Sequence, residues 1–275
     1  MSIKSILVYL SDDEETLSCL RAAFELAGHL NAVLAVVYVA NPVRLPSAME
    51  GRGVSRAFFA NEIDEIQRDK ARAAEIELQH LSNPRGIRYT WTVVKGEPGK
   101  SLAQMSAYHD LAVVAQSDPG NPAGLLSDDL SDQLVTTGGC PVIVLPPVRR
   151  YPTLGRRILV TWKEGVESSR SLHAALPFLQ RAEAVTLVSR EGGREAAASL
   201  ERIAEYLRLH GIEPAVRAPQ YGARAAEGRV LEYARETRAD LIVMGSSGSS
   251  RLREMVLGGG RRMMLRSDIP ILISH

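Results

Sequence analysis

The sequence predicts an α/β protein made of two similar domains, each built from parallel β-α-β units. Short apolar segments alternate with longer segments of helical periodicity along the whole chain, and the short segments are apolar at nearly every position. Such strands belong to parallel sheets that helices cover on both faces. The same order of segments occurs twice within the 275 residues, which indicates an internal duplication.

The two halves match element by element. Predicted strands cover residues 4–10, 32–40, 87–94, 110–114 and 140–145 in the first half, and 157–162, 184–188, 214–218, 240–244 and 269–273 in the second. Long charged helices are expected at 57–81 and 194–210, each between the second and third strands. The segment 146–152 contains three prolines and is expected to be a stiff linker, so we place the domains at 1–147 and 154–275.

Composition places the chain among ordinary globular proteins. Hydrophobic residues make up 45%, charged residues 24%, and the net charge is +1, so nothing global favours binding to nucleic acid or to a membrane surface. No apolar stretch reaches the roughly 18 residues of a membrane span, and no secretory signal is recognised, so a cytoplasmic protein is expected. Cys19 and Cys140 lie in apolar surroundings and are expected to be reduced core thiols.

A loop rich in glycine and serine follows the fourth strand of the second half. It begins at Gly245, directly after Met244, and a second glycine cluster at 258–260 opens a predicted helix. Glycines allow backbone N–H groups to approach a ligand closely, and a helix N-terminus adds partial positive charge. This pattern is typical of a phosphate-binding loop, whereas its alternative interpretation is a flexible turn.

Taken together, the duplicated strand order and this loop resemble a tandem universal stress protein, over nearly the whole chain. The resemblance implies two doubly wound five-stranded parallel sheets of order 3-2-1-4-5, in the adenine nucleotide alpha-hydrolase-like class. Nucleotide-binding members carry G-x2-G-x9-G followed by Ser or Thr, and Gly245, Gly248 and Gly258 meet this spacing. The sequence departs from the family at Gly259, which replaces the hydroxyl residue, and at Lys163, where the family usually has an aspartate.

The resemblance implies that the second half binds ATP or another adenine nucleotide, with Mg²⁺ as an optional companion. The residues implied in binding are Thr161, Trp162, Lys163, Arg190, Met244, Gly245, Ser246, Ser247, Gly248, Ser249, Gly258, Gly259 and Gly260. In the first half the aligned positions are Ala115, Asp118 and Asp128, and the two carboxylates would repel phosphate. That half is therefore expected to be structural or regulatory, and its segment 41–56 is a lid, a partner surface or a plain surface loop.

The remaining motifs of the sequence give weaker evidence of function. The segment 96–101 is not a P-loop, because Val94 stands where that motif needs a glycine, and it is expected to be a strand-to-helix turn. The six histidines lack the spacing of metal ligands, and no metal site is predicted. Family members commonly pair through their fifth strands, which implies an intramolecular pseudo-dimer joined at 142–145 and 271–273. Further association of two chains stays open.

Three functions fit the sequence. The first is a stress-response protein that binds an adenine nucleotide and hydrolyses ATP slowly at most. The second is an adaptor without nucleotide, in which Lys163 and Gly259 mark a decayed site and unknown protein partners bind the surface. The third is an enzyme of the wider adenine nucleotide alpha-hydrolase-like group, although its substrate-activating motif is not found in this sequence.

Overall fold

A computed structural model describes residues 2–10, 14–40, 56–82, 86–116, 130–147, 151, 153–189, 191–217, 226–246, 263–264 and 266–275. The strands are β1 Ser5–Leu10, β2 Val33–Ala40, β3 Tyr89–Lys95, β4 Leu111–Ala115, β5 Val142–Leu145, β6 Arg157–Trp162, β7 Ala184–Ser189, β8 Pro214–Arg217, β9 Leu241–Gly245 and β10 Ile271–Ser274. The helices are α1 Glu14–Leu30, α2 Arg56–Ser82, α3 Pro98–Ser106, α4 Leu130–Thr137, α5 Val166–Leu179, α6 Arg194–Leu209 and α7 Ala226–Glu236. The elements therefore follow the predicted order in both halves.

All ten strands belong to one sheet, of order β3-β2-β1-β4-β5-β10-β9-β6-β7-β8. Each half contributes five neighbouring strands in the order 3-2-1-4-5, as the resemblance implied. Strand pairs are parallel within each half, whereas β5 and β10 pair antiparallel, with Leu272 opposite Ile143. The seam between the halves thus lies at the fifth strands, and the carboxyl ends of the two sets of strands point in opposite directions.

The apolar strands fill a core on each face of this sheet. Successive side chains of a strand point to opposite faces. Accordingly Leu241 and Val243 of β9 lie in one buried cluster, and Ile242 and Met244 lie in the other. Both clusters contain residues from both halves, so the hydrophobic layers run across the seam without a break.

An aspartate before the fourth strand joins that strand to the first one in each half. The carboxylate of Asp240 accepts hydrogen bonds from the backbone N–H groups of Gly155, Arg156 and Arg157, at 2.9 to 3.2 Å. Asp110 accepts in the same way from the N–H groups of Lys4 and Ser5, at 2.7 and 3.0 Å. The aspartates that begin the fourth strands in the sequence therefore satisfy backbone donors where the first strands begin.

Side-chain hydrogen bonds also connect the halves outside the paired strands. Arg181, which follows α5, donates from Nη1 to the carbonyl of His29 in the last turn of α1 at 2.9 Å. A cation at a helix C-terminus also interacts favourably with the helix dipole. In the second of these contacts, the buried side-chain amide of Gln116 donates to the backbone carbonyl of Met264.

The segment 96–101 is the predicted turn between a strand and a helix. β3 ends at Lys95, the Gly96 N–H donates to the Ala40 carbonyl, and α3 begins at Pro98 after the N-cap residue Glu97. Proline suits the first turn of a helix because it has no N–H to satisfy there. No helix within the described ranges is long and apolar enough to cross a membrane. The segment 41–55 lies outside them.

Asp240→Ala should lower stability more than the loss of an ordinary surface carboxylate. It removes three charge-assisted hydrogen bonds, which we expect to lower the free energy of unfolding by about 2 kcal/mol. Asp268→Ala is the matched control, because Asp268 forms an exposed ion pair with Arg235 and such pairs contribute about 0–1 kcal/mol. Urea unfolding of the two variants measures the difference. Equal losses would show that the aspartate does not hold the strands together.

Cys140 should be unreactive in the folded protein. Burial, and to a smaller degree the negative charge of Asp110, raises the pKa of its thiol to about 12. At pH 8 only about one such thiol in ten thousand is ionised, and the thiolate is the reactive form. We expect an aromatic disulfide reagent to modify neither Cys140 nor the buried Cys19 rapidly until denaturant is added. Fast modification of one thiol in the native protein would contradict this.

Candidate functional site

The predicted ligand edge of the second half is formed by the carboxyl ends of β6, β7, β9 and β10. β6 and β9 are parallel neighbours, and Thr161 is the register partner of Met244. In a doubly wound sheet the chain leaves these two central strands towards opposite faces, and the crevice between them is where ligands bind. Gly245 and Ser246 stand at the end of β9, beside this crevice.

Gly245 is a glycine because α5 packs directly on it. A Cβ atom at this position would lie 2.5 Å from the backbone nitrogen of Ser168 and 2.7 Å from the carbonyl carbon of Glu167. Neither backbone atom can move without displacing the first turn of α5. The glycine therefore brings a helix N-terminus against the end of β9, which places partial positive charge beside the crevice.

The hydroxyl of Ser246 lies beside the same crevice, at the end of β9. Its backbone N–H donates to the carbonyl of Ser274 at 3.1 Å, and only 8% of the residue is exposed. Its Oγ is buried and has no hydrogen-bond partner among the residues that the structure describes. A buried hydroxyl without a partner is unfavourable, so this atom is suited to a ligand that completes its hydrogen bonding.

Three predicted site residues direct their side chains into the protein. Thr161 is buried and donates from Oγ1 to the carbonyl of Val243 at 3.3 Å, and Met244 lies in the core. Trp162 is also buried, and its Nε1 donates to the hydroxyl of Ser199 on α6 at 2.9 Å. Through their side chains, these residues hold the strand ends in place.

Lys163 lies at the end of β6, as predicted, and is engaged in an ion pair. Its Nζ is 3.1 Å from Oε1 of Glu191, and the two side chains are 54% and 47% exposed. The neighbouring Glu164 pairs with Arg202 of α6 at 3.5 Å. Sequence reasoning missed Glu191, which is the second residue after β7; an acidic residue near the end of a second strand is a signal for ribose binding in doubly wound folds.

Glu167 makes the start of α5 a poor place for a phosphate. It is the acidic residue in the first turn of that helix, where a carboxylate interacts favourably with the helix dipole. The same charge would repel an anion at this position. The first turn of α5 is therefore unfavourable for an anion.

Several predicted positions lie outside the described residues. They are Arg190, Ser247, Gly248, Ser249, Gly258, Gly259 and Gly260 in the second half, and Asp118 and Asp128 in the first. The G-x2-G-x9-G loop therefore stays a prediction. In the first half, Ala115 ends β4 at the position of Gly245, and Gln116 occupies the position of Ser246. Within the described part of the chain, no group of three or more His, Cys, Asp or Glu residues could hold a metal ion.

The fold and its ligand edge define a doubly wound α/β protein with the architecture of nucleotide-binding domains. The chain belongs to the universal stress protein family, because the family model matches residues 2–146 and again residues 157–275. This double match supports a tandem arrangement. A search of curated proteins found no match.

Solved structures of full length share the fold. A universal stress protein from Archaeoglobus fulgidus DSM 4304 is 17% identical, with a TM-score of 0.81 over 99% of this chain and 96% of that chain. A protein of unknown function from Pseudomonas aeruginosa PAO1 is 16% identical, with a TM-score of 0.60 over 99% and 92%. A putative universal stress protein from Pseudomonas aeruginosa UCBPP-PA14 is 19% identical, with a TM-score of 0.58 over 99% and 93%.

Gly245→Ala should destabilise the protein through the packing of α5. The added Cβ would overlap backbone atoms, and overpacking of this kind lowers stability by about 1–3 kcal/mol. Gly28→Ala is the matched control, because the nearest atom to its new Cβ is the Ile87 side chain at 3.4 Å, in ordinary contact, and alanine favours the helix. Thermal unfolding compares the two. A Gly245→Ala protein as stable as the Gly28→Ala protein would contradict the packing argument.

Proposed function

We propose that this protein binds an adenine nucleotide, such as ATP, at the carboxyl edge of the second half, and that nucleotide binding sets its activity as a stress-response protein. The observation that carries the proposal is the buried hydroxyl of Ser246 at the end of β9, which has no hydrogen-bond partner in the described part of the chain. Family membership and the glycine spacing of 245–258 support it. We place the nucleotide site in the second half alone, because the first half has Ala115 and Gln116 at the equivalent strand end.

The described residues fit a phosphate ester. Ser246 provides a neutral hydroxyl donor at the end of β9. Lys163 supplies positive charge at the end of the neighbouring strand β6, although it is paired with Glu191. We propose that the glycine loop donates backbone N–H groups to the phosphates and that any Mg²⁺ is held mainly by the nucleotide itself, as is usual for this ion.

A second candidate function is a stress adaptor that binds no nucleotide. The ion pair of Lys163 and Glu191 favours it, because a lysine replaces the aspartate of the family and its charge is already neutralised. Mass spectrometry of small molecules released from the denatured protein distinguishes the two candidates. A co-purified adenine nucleotide supports the first. No released nucleotide, together with no thermal shift on adding ATP, supports the adaptor. We expect ATP hydrolysis to be slow at most, which phosphate release under multiple turnover measures.

Ser246→Ala separates binding from stability. Loss of one hydroxyl donor should weaken ATP binding by about fivefold, since a neutral hydrogen bond contributes about 1 kcal/mol. The free protein should be as stable as the wild type or slightly more stable, because an unsatisfied buried hydroxyl is removed. Calorimetric titration gives the affinity, and thermal unfolding without nucleotide gives the stability.

Ser199→Ala is the matched control for this variant. It removes the partner of the Trp162 indole, so stability should fall while the affinity for ATP stays unchanged. Unchanged ATP binding by the Ser246→Ala protein would show that this hydroxyl does not contact the nucleotide.

A further inference from the structure

The ion pair of Lys163 and Glu191 lies beyond the carboxyl ends of β6 and β7. These strands are parallel neighbours, and their last residues, Trp162 and Ser189, are register partners. Lys163 follows directly on β6 and Glu191 follows shortly after β7, with 3.1 Å between Nζ and Oε1. The pair therefore sits at the ligand edge, on the other side of β6 from Gly245 and Ser246.

The backbone of Glu191 is fixed by the last residue of β7. The hydroxyl of Ser189 donates to the carbonyl of Glu191 at 2.8 Å and accepts from the N–H of Glu191 at 3.0 Å. Ser189 is itself buried. The carboxylate therefore extends from an anchored backbone position, and Lys163 restrains its far end.

This ion pair contributes little to the stability of the fold. Both side chains are about half exposed, and pairs of this kind contribute about 0–1 kcal/mol. The side chain of Glu191 forms its ion pair with Lys163 at the predicted ligand edge. A carboxylate accepts up to about four hydrogen bonds, so this half-exposed group can also accept hydrogen bonds from a ligand. The charge is thus available for binding.

We propose that Glu191 is a specificity-determining residue that accepts hydrogen bonds from the 2′- and 3′-hydroxyls of a ribose, with Lys163 as the positioning residue. This inference rests on the proposed function and adds the sugar class to it. Acidic residues after the second strand bind ribose hydroxyls in other doubly wound folds because a carboxylate pairs well with a vicinal diol. The carboxylate absent at position 163 is supplied from the neighbouring strand. The site then selects ribonucleotides with both hydroxyls free over deoxyribonucleotides.

Titration of ATP, 2′-deoxy-ATP and 3′-deoxy-ATP into the full-length protein tests this inference. We expect the wild type to bind ATP about tenfold more tightly than either deoxy form, the ratio expected for one lost hydrogen bond to a charged acceptor. Glu191→Ala loses both hydrogen bonds, so it should bind all three nucleotides about equally, and about tenfold more weakly than the wild type binds the deoxy forms. Lys163→Ala should reduce the discrimination, and Lys163→Arg should restore it by keeping the ion pair.

Glu183→Ala is the matched control. Glu183 pairs with Arg156 at 3.3 Å, with similar exposure, at the opposite ends of the same two strands. This variant should keep the wild-type preference for ATP, and its thermal unfolding should match that of Glu191→Ala. If the wild type binds none of the three nucleotides, both the proposed function and this inference fail. If it binds ATP but the discrimination survives Glu191→Ala, the inference alone is wrong.

Discussion

The antiparallel pairing of β5 with β10 is the contact on which the arrangement of the whole molecule depends. It joins two five-stranded sheets into one and makes both hydrophobic layers continuous from end to end. It also removes two exposed edges, which would otherwise present unpaired backbone groups. Because β5 and β10 are antiparallel, the carboxyl edges of the two halves point in opposite directions along the strands.

The two halves use equivalent positions for different purposes. At the end of the fourth strand, the N–H of Gln116 donates to Leu145 and the N–H of Ser246 donates to Ser274, so the backbones correspond. The side chains differ in reach: the amide nitrogen of Gln116 donates across the seam to the Met264 carbonyl, whereas the hydroxyl of Ser246 has no partner among the described residues. The end of β4 is thus part of the interface between the halves.

Much of the fold could be predicted from the sequence because strong local patterns specify it. Continuous apolar strands and the duplication indicate two halves of parallel β-α-β units. The strand order and the seam were implied by the resemblance to universal stress proteins, and the structure has both. The site was less predictable, because contacts distant in sequence decide which way each side chain points. The indole of Trp162, for example, donates to Ser199, 37 residues later in the chain. The role of Gly245 also depends on a helix far away in sequence, which no spacing pattern contains.

Because both halves belong to one chain, the strand pairing at the seam does not have to hold two separate molecules together. The register of β5 with β10 contains three residue pairs, which is a short contact for keeping two independent subunits associated at low concentration. The connecting segment turns that association into an intramolecular one, governed by an effective concentration that is millimolar for short linkers. In a homodimer, every substitution at the seam would occur twice, once on each side of the symmetry axis. Here each side can mutate alone, so an asymmetric contact such as Gln116 with Met264 can evolve without a matching change at Ser246.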